Sequence, residues 1–178
     1  GGLRLRIQRV SSVSHDVDAN EDEKPKAKKA SGFQLSLKGR ALRLLSMREH
    51  SRQELERKLK AFEETPGELA QALDFLAAKD FINEQRVVES VVNRRQLKLG
   101  ASRVRQELQA KGLPAEAISE AVQAMRSTEL ERAREVWRKK FGAPPEDQAA
   151  RAKQIRFLVS RGFAPEVVKR VVAGAEDV

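Results

Sequence analysis

The sequence predicts an all-α protein built from three tandem three-helix units. Beyond residue 35, apolar residues recur at the three- and four-residue spacing of amphipathic helices. Capping residues and glycines separate these apolar segments, and the apolar positions repeat at intervals of about 50 residues. No segment after residue 10 keeps the two-residue alternation that is typical of a half-buried strand.

Residues 1–34 precede these units and form an N-terminal arm and linker. Residues 3–10 alternate apolar and basic side chains, which suits either a short strand or a loose terminus, and we expect the loose terminus. Residues 11–32 are polar and have no apolar period, so ordering them would cost entropy with little burial in return. We therefore expect the arm to be mostly disordered.

The apolar spacing predicts nine helices, at residues 37–48, 52–62, 66–78, 84–98, 103–111, 115–125, 129–141, 147–161 and 165–174. Residues spaced as N-caps or capping boxes mark several starts: Ser51 with Glu54, Thr65 with Glu68, Thr128 with Glu131, Asn83, and Ser102. Pro66 is expected at the first position of its helix. Glycines suited to the left-handed conformation follow four helices, namely Gly100, Gly112, Gly142 and Gly162.

The helices group into units at residues 35–80, 81–127 and 128–178. A shift of 50 residues aligns Leu108, Gly112, Leu113, Ile118 and Val122 with Leu158, Gly162, Phe163, Val168 and Val172. A shift of 49 aligns Leu55, Leu59, Leu69 and Leu73 with Val104, Leu108, Ile118 and Val122. We expect such small units to stack into an elongated, curved array. The alternative is a single globular bundle with accidental register.

The composition favours an acidic or polyanionic partner. The 178 residues include 35 Lys plus Arg against 26 Asp plus Glu, for a net charge of +9. The absence of cysteine excludes disulfides, thiolate metal sites and cysteine nucleophiles. No apolar run approaches the roughly 18 residues of a membrane span, and the first residues lack the apolar segment of a signal peptide. We expect a cytoplasmic protein without membrane contact.

Residues that could support catalysis are scarce. The two histidines are His15, in the arm, and His50, which we expect at a helix C-terminus where partial positive charge suits the helix dipole. Glycine-rich loops that hold phosphates are missing. Trp137 lies on an apolar stripe and is expected to pack in the core. The sequence therefore predicts no enzyme activity, no metal and no cofactor.

Two basic clusters are candidate binding sites. Between residues 94 and 111, six basic residues stand against Glu107 alone, for a net charge of +5: Arg94, Arg95, Lys98, Arg103, Arg105 and Lys111. The first three share one face of a helix whose buried side carries Val88, Val91 and Val92, while Arg103 and Arg105 are expected to be free at the flanks of the next helix. The second cluster is Arg138, Lys139 and Lys140, partly compensated by Glu135. An ordinary solvated surface is the alternative for both.

Several short motifs in the middle unit form a recognisable pattern: Asn83-Glu84-Gln85-Arg86, Glu89-Ser90, Arg95, and above all the run from Gly100 to Gly112, which contains Arg103-Val104-Arg105-Gln106-Glu107-Leu108. This pattern resembles that of the RecX family, whose members are bacterial regulators of the recombinase RecA. The resemblance covers residues 37–174. One departure is Val87, where the family usually carries Phe, and this apolar exchange concerns packing.

The resemblance implies a negative regulator of RecA that binds the deep helical groove of the RecA–DNA filament. Such a regulator would curb ATP hydrolysis, strand exchange and the repressor cleavage that controls the SOS response. We expect a monomer that needs no cofactor and that can also contact single- or double-stranded DNA.

Two further hypotheses belong to other classes of protein. The first is a nucleic-acid-binding module that acts without RecA, with residues 103–111 and 115–125 as a helix-turn-helix. The acidic positions of the second of these helices argue against major-groove contact. The second is a plain structural scaffold, which leaves the first basic cluster unexplained.

Overall fold

The computed structural model describes residues 34–176, so nearly all of the predicted arm lies outside the described residues. Within them the chain is all-helical, with no strand. The helices, joined by short connections and one 3₁₀ turn at Lys60–Phe62, are α1 (Leu37–Met47), α2 (Arg52–Leu59), α3 (Glu68–Ala78), α4 (Glu84–Arg95), α5 (Ala101–Ala110), α6 (Ala115–Arg126), α7 (Glu129–Lys140), α8 (Gln148–Ser160) and α9 (Pro165–Glu176). Each helix boundary lies within three residues of its expected position.

The start of α2 shows how local sequence determines a helix end. The Ser51 hydroxyl accepts the backbone N–H of Glu54 at 3.1 Å, and the Glu54 carboxylate accepts the backbone N–H of Ser51 at 2.9 Å. These two reciprocal bonds form the predicted capping box and satisfy donors that have no partner within the helix.

Two of the predicted caps are wrong because the hydroxyl groups donate to carbonyls elsewhere. Ser102 lies inside α5, and its hydroxyl donates to the carbonyl oxygen of Gly162 at 2.9 Å. Thr128 directly precedes α7, but its hydroxyl donates to the carbonyl oxygen of Met125 and makes no cap bond. Both carbonyls lie near helix ends, where the helix itself supplies too few donors.

The start of α3 also differs from the prediction. The helix begins at Glu68, after Gly67 in the left-handed conformation with φ of +89°, so Pro66 precedes the first turn. The Glu68 carboxylate accepts the backbone N–H of Thr65 at 3.3 Å, which is half of the expected capping box. Gly67 permits the tight entry because it has no Cβ that would oppose a positive φ.

The described chain divides after Asn83 into two compact units. The first unit contains α1, α2 and α3 around a core to which leucines contribute most, including Leu55, Leu59, Leu73 and Leu76. The second unit contains two three-helix groups, each with its own core. The core of α4–α6 centres on Val104 and Leu108, and that of α7–α9 on Leu158 and Phe163.

The predicted repeat register is confirmed by burial. Every apolar residue in the two sequence alignments is buried, and Leu108 and its counterpart Leu158 are both fully inaccessible to solvent. The glycines of the alignment, Gly112 and Gly162, both adopt positive φ after their helices, at +73° and +94°. The second and third helix groups therefore repeat one arrangement of helix, glycine turn and core contact, and the first group shares their buried positions.

Candidate partner-binding surface

Arg94 and Arg95 end α4, and both side chains bind the same acid on α5. Arg94 Nη2 lies 3.3 Å and Arg95 Nε 2.9 Å from the two carboxylate oxygens of Glu107. The opposite side of α4 packs into the core, as expected. The buried residues there include Val87, whereas Val92, which we expected to be buried, is only half-buried. Because one carboxylate serves two guanidinium groups, this end of α4 remains cationic.

Within the part of the chain that the structure describes, Lys98 and Arg105 carry charge that no other side chain compensates. Lys98 is exposed in the turn between α4 and α5, and Arg105 is half-buried on α5. Neither side chain has a hydrogen bond or ion pair within residues 34–176. Lys111 is half-buried at the C-terminal cap of α5. Lys98 and Arg105 can therefore meet a partner without first breaking an internal contact.

Arg103 is not free, contrary to the expectation from the sequence. Its guanidinium donates to the carbonyl oxygen of Ser160, at the end of α8, with a distance of 2.6 Å. Its aliphatic part lies directly over Gly162, where any added Cβ would overlap the Cβ and Cγ of Arg103. Such a cation complements the partial negative charge at a helix C-terminus. Arg103 thus joins the second helix group to the third.

The second basic cluster, at the end of α7, is partly compensated. The Arg138 guanidinium donates to both carboxylate oxygens of Glu135, and this contact lowers the pKa of Glu135 and raises that of Arg138. Lys139 is exposed. The Lys140 ammonium lies over the ring of Phe157, 5.1 Å from its centroid.

One residue from each cluster contacts the last turn of α8, Arg103 from the first and Lys140 from the second. Arg161 places its guanidinium 4.4 Å from the centroid of the same Phe157 ring that Lys140 contacts. Arg161 directly follows Ser160, which accepts the bond from Arg103. The structure therefore brings together Arg103 and Lys140, whose chain positions lie in different helix groups, around one helix end.

The helix that ends at this point, α8, is itself basic, which the sequence analysis missed. α8 contains Arg151, Lys153 and Arg156 and has no acidic residue along its length. Lys153 and Arg156 are exposed. A count of charges per helix would have identified it, together with α1, which also carries three basic residues and no acid.

Glu129 holds the junction between the second and third helix groups. It is 2% exposed, and its two carboxylate oxygens accept the backbone N–H groups of Ala101 and Ala164, each at 3.0 Å. These donors lie at the starts of α5 and α9, where N–H groups lack helical partners and the dipole favours an anion. One buried carboxylate thereby fixes two helix starts together.

Arg132, one turn after Glu129, donates hydrogen bonds to backbone carbonyls at the ends of two other helices. Its guanidinium donates to the carbonyl oxygens of Gln96 and Leu99, after α4, and to that of Met125, in the last turn of α6. Burial lowers the pKa of Arg132, while the nearby Glu129 carboxylate opposes the shift. The arginine orders the turn that connects α4 to α5.

Trp137 packs in the core of α7–α9, as predicted. Its indole N–H donates to the side-chain oxygen of Gln154 at 2.8 Å, and the Gln154 amide donates to the carbonyl of Ala143 at 3.1 Å. These bonds explain why a buried glutamine faces the tryptophan.

His50 is buried in the first unit and neutral at pH 7, so the expected partial positive charge is wrong. Its Nδ1 lies 3.0 Å from the carbonyl oxygen of Arg48, and its Nε2 lies 3.1 Å from the Lys58 ammonium. Burial, with the charges of Arg48 and Lys58, lowers the pKa of His50 to about 4. Nδ1 therefore donates and Nε2 accepts.

Three family profiles match the chain, one for each helix group. They are described as RecX first, second and third three-helix domains and cover residues 38–79, 83–122 and 127–172. The chain belongs to the RecX family. Within the described residues, no helix is both long and apolar enough to cross a bilayer.

Curated RecX proteins resemble the chain over most of their length. The regulatory protein RecX of Leptothrix cholodnii is 53% identical over 143 residues, which are 80% of this chain and 91% of the relative. That of Ralstonia nicotianae is 46% identical over 142 residues, covering 80% and 89% of the two chains. These RecX relatives are named as regulatory proteins.

Solved RecX structures share the fold. The crystal structure of RecX from Lactobacillus salivarius superposes with a TM-score of 0.66 at 18% identity, covering 80% of this chain and 96% of that one. A second crystal structure, of regulatory protein RecX, gives a TM-score of 0.63 at 21% identity, covering 76% and 70%. At this level of identity, the likeness concerns the helical architecture of the RecX family.

Proposed function

We propose that this RecX chain is a negative modulator of RecA that binds the RecA–DNA filament. In this proposal it lowers the ATPase activity of the filament, slows strand exchange and reduces the repressor cleavage that the filament promotes. It acts by binding rather than by catalysis, as a cytoplasmic monomer that needs no cofactor.

The observation that carries this proposal is that Arg103 and Lys140, from the two basic clusters, both contact the last turn of α8, where Arg161 adds a third cation. Arg103 from α5 contacts Ser160 there, and Arg161 and Lys140 share the ring of Phe157. Cations grouped at one helix end can meet DNA phosphates and protein carboxylates at the same time, which a filament of protein on DNA presents together. The junction through Glu129 holds this surface in one arrangement before binding.

The predicted binding residues have unequal roles in this proposal. Lys98, Arg105 and Lys139 are the residues that we expect to contact the partner first, because they need break no ion pair. Arg94, Arg95 and Arg138 are partly neutralised by carboxylates and contribute less. The remaining predicted residues, Arg103, Lys111 and Lys140, complete the surface.

Direct binding to nucleic acid without RecA is the second candidate function, and α8 favours it. Exposed Lys153 and Arg156 on a helix without acids would attract phosphates. The helix pair α5 and α6 does not favour it, because Glu116 and Glu120 are exposed on α6. Carboxylates on that helix would repel the backbone of a duplex.

A titration of the chain into RecA, single-stranded DNA and ATP tests the proposal. We expect ATP hydrolysis to fall when the chain is present at well below one molecule per RecA. A direct DNA binder would have to compete for DNA and would inhibit only near saturation of the strand. Inhibition that appears only at such ratios, and that added DNA reverses, would favour the second function.

A salt series on wild-type chain separates the two functions further. Phosphate contacts alone give binding of about 10⁻⁴–10⁻⁶ M at physiological salt, and affinity that falls steeply as salt rises. We expect the assembled filament to bind more tightly and with a shallower salt dependence than bare DNA. Equal affinities and equal slopes would contradict the RecA proposal.

A further inference from the structure

Leu97 is the most exposed of the large apolar residues within residues 34–176. It is 74% exposed and lies in the turn between α4 and α5, beside Lys98. The neighbouring Leu99 is half-buried and packs against the core of α4–α6. The turn therefore directs one leucine inward and the other into solvent.

The turn that carries Leu97 is held at both ends by one half-buried arginine. Arg132 Nη1 lies 2.8 Å from the carbonyl oxygen of Gln96 and 2.9 Å from that of Leu99, the residues that flank Leu97 and Lys98. The backbone N–H groups of Lys98 and Leu99 donate to the carbonyl of Arg95 at 3.0 and 2.9 Å. An exposed apolar side chain on an ordered turn loses little conformational entropy when a partner covers it.

The charges around Leu97 indicate the chemistry of that partner. Lys98 adjoins it with an ammonium that no other described side chain compensates, and Arg94 and Arg95 lie one turn or less before it at the end of α4. Glu107, the acid nearest in this arrangement, is already bound by both arginines. A phosphate backbone would use the cations but gains nothing from an exposed leucine. An apolar pocket with carboxylates at its rim would use both.

We propose that Leu97 is the apolar anchor by which the chain docks into an acid-rimmed pocket on a protein partner, with Lys98 placed over the rim. The inference rests on the proposed function, in which that protein is the RecA subunit of the filament. Leu97 then supplies binding that does not depend on DNA phosphates. This gives a physical reason for tighter, less salt-sensitive binding to the filament than to bare DNA.

Three variants of the full chain test the anchor. Leu97→Ser removes the apolar group, Leu97→Met keeps an apolar group of similar volume, and Met47→Ser is the matched control. Met47 is 70% exposed and lies at the end of α1, in the first compact unit. Each variant is titrated into RecA, single-stranded DNA and ATP, and its affinity for a fluorescein-labelled oligo-dT is measured by anisotropy.

We expect Leu97→Ser to raise the concentration needed for half-inhibition about tenfold, as the loss of one buried leucine predicts. Leu97→Met and Met47→Ser should stay within about twofold of wild type, and all four proteins should bind oligo-dT equally. Equal inhibition by wild type, Leu97→Ser and Met47→Ser would overturn the anchor while leaving the RecA function intact.

Two other outcomes are also decisive. A parallel loss of oligo-dT affinity and inhibition in Leu97→Ser would place Leu97 on the DNA and overturn the protein pocket. A wild-type chain that does not inhibit RecA at all would overturn the proposed function itself, together with the anchor that rests on it.

Discussion

Gly100 and Gly162 lie backbone against backbone at the junction of the second and third helix groups. The Gly100 N–H donates to the carbonyl of Arg161 at 2.8 Å, and a Cβ added to Gly100 would overlap the carbonyl group of Gly162. The two helix ends can approach this closely only because neither residue has a side chain. This contact brings Arg103 over Gly162 and next to Ser160.

The close approach predicts that Gly100→Ala is destabilising. The new methyl group would have to displace backbone atoms, so we expect a loss of about 1–3 kcal/mol in the free energy of unfolding. Gly174→Ala is the matched control, because no atom lies within 4 Å of its added Cβ. In the last turn of α9, alanine should stabilise by up to about 0.5 kcal/mol. Urea melts that give both variants the same sign would contradict the proposed packing.

The Glu129 bridge predicts a large effect of a nearly isosteric change. Glu129→Gln leaves one oxygen and one NH₂ group, so the NH₂ must face a backbone N–H that the carboxylate formerly accepted. It also leaves the half-buried Arg132 without the carboxylate that lies 3.7 Å from its guanidinium, and breaking a buried pair costs at most about 3–5 kcal/mol. Chemical denaturation measures this loss. Glu131→Gln, on the exposed side of the same helix, should change stability by less than about 0.5 kcal/mol.

The lowered pKa of His50 should make the stability of the chain depend on pH in the acid range. This pKa is lowered from 6.5 to about 4 in the folded chain, so between these values the unfolded chain binds more protons. The contribution of neutral His50 to the free energy of unfolding is fully present above pH 6.5 and is lost as the pH falls toward 4. We expect a contribution of about 1–3 kcal/mol.

His50→Asn provides the comparison for this pH effect. The asparagine amide can donate to the carbonyl of Arg48 but does not titrate. Because asparagine is smaller than the buried imidazole, the variant should be less stable than wild type at pH 7. The difference between the two proteins should shrink as the pH is lowered from 7 to 4.5. A difference that stays constant with pH would show that His50 does not titrate as the structure indicates.

Truncation of Leu108 and truncation of Arg105, both on α5, should have very different effects on stability. Leu108 is fully buried, so Leu108→Ala should cost about 2–5 kcal/mol through lost transfer energy and packing. Arg105→Ala, which breaks no hydrogen bond or ion pair of the described residues, should cost well under about 1 kcal/mol. Urea melts of the two variants check the assignment of the faces of α5. A reversed order would show that the faces are exchanged.

Charge reversal on α5 predicts loss of RecA inhibition without loss of fold. Arg105→Glu should abolish most of the inhibition in the ATPase titration while the helical circular dichroism stays unchanged. Arg103→Glu should weaken inhibition too, but it also places a carboxylate at the carbonyl of Ser160 and lowers stability. Full inhibition by a folded Arg105→Glu protein would remove Arg105 from the proposed binding surface.

The sequence by itself determined the helices, their order and their buried faces. Apolar spacing and capping depend on residues within a turn or two of each other, so Ser51 with Glu54 could be recognised without a structure. The aligned positions Leu108 and Leu158 were predicted to be equivalent and are equally buried. Charge counts also identified the basic clusters, because net charge per segment needs no coordinates.

Only the tertiary structure decided the partner of a polar group whose partner lies in another helix. Ser102 has a hydroxyl suited to a cap but donates to Gly162, 60 residues away, and Glu129 joins N–H groups of Ala101 and Ala164. The physical reason is that helix ends leave backbone donors and acceptors without partners wherever they meet in space. A polar side chain binds the nearest such group, and chain folding rather than sequence spacing determines which one that is.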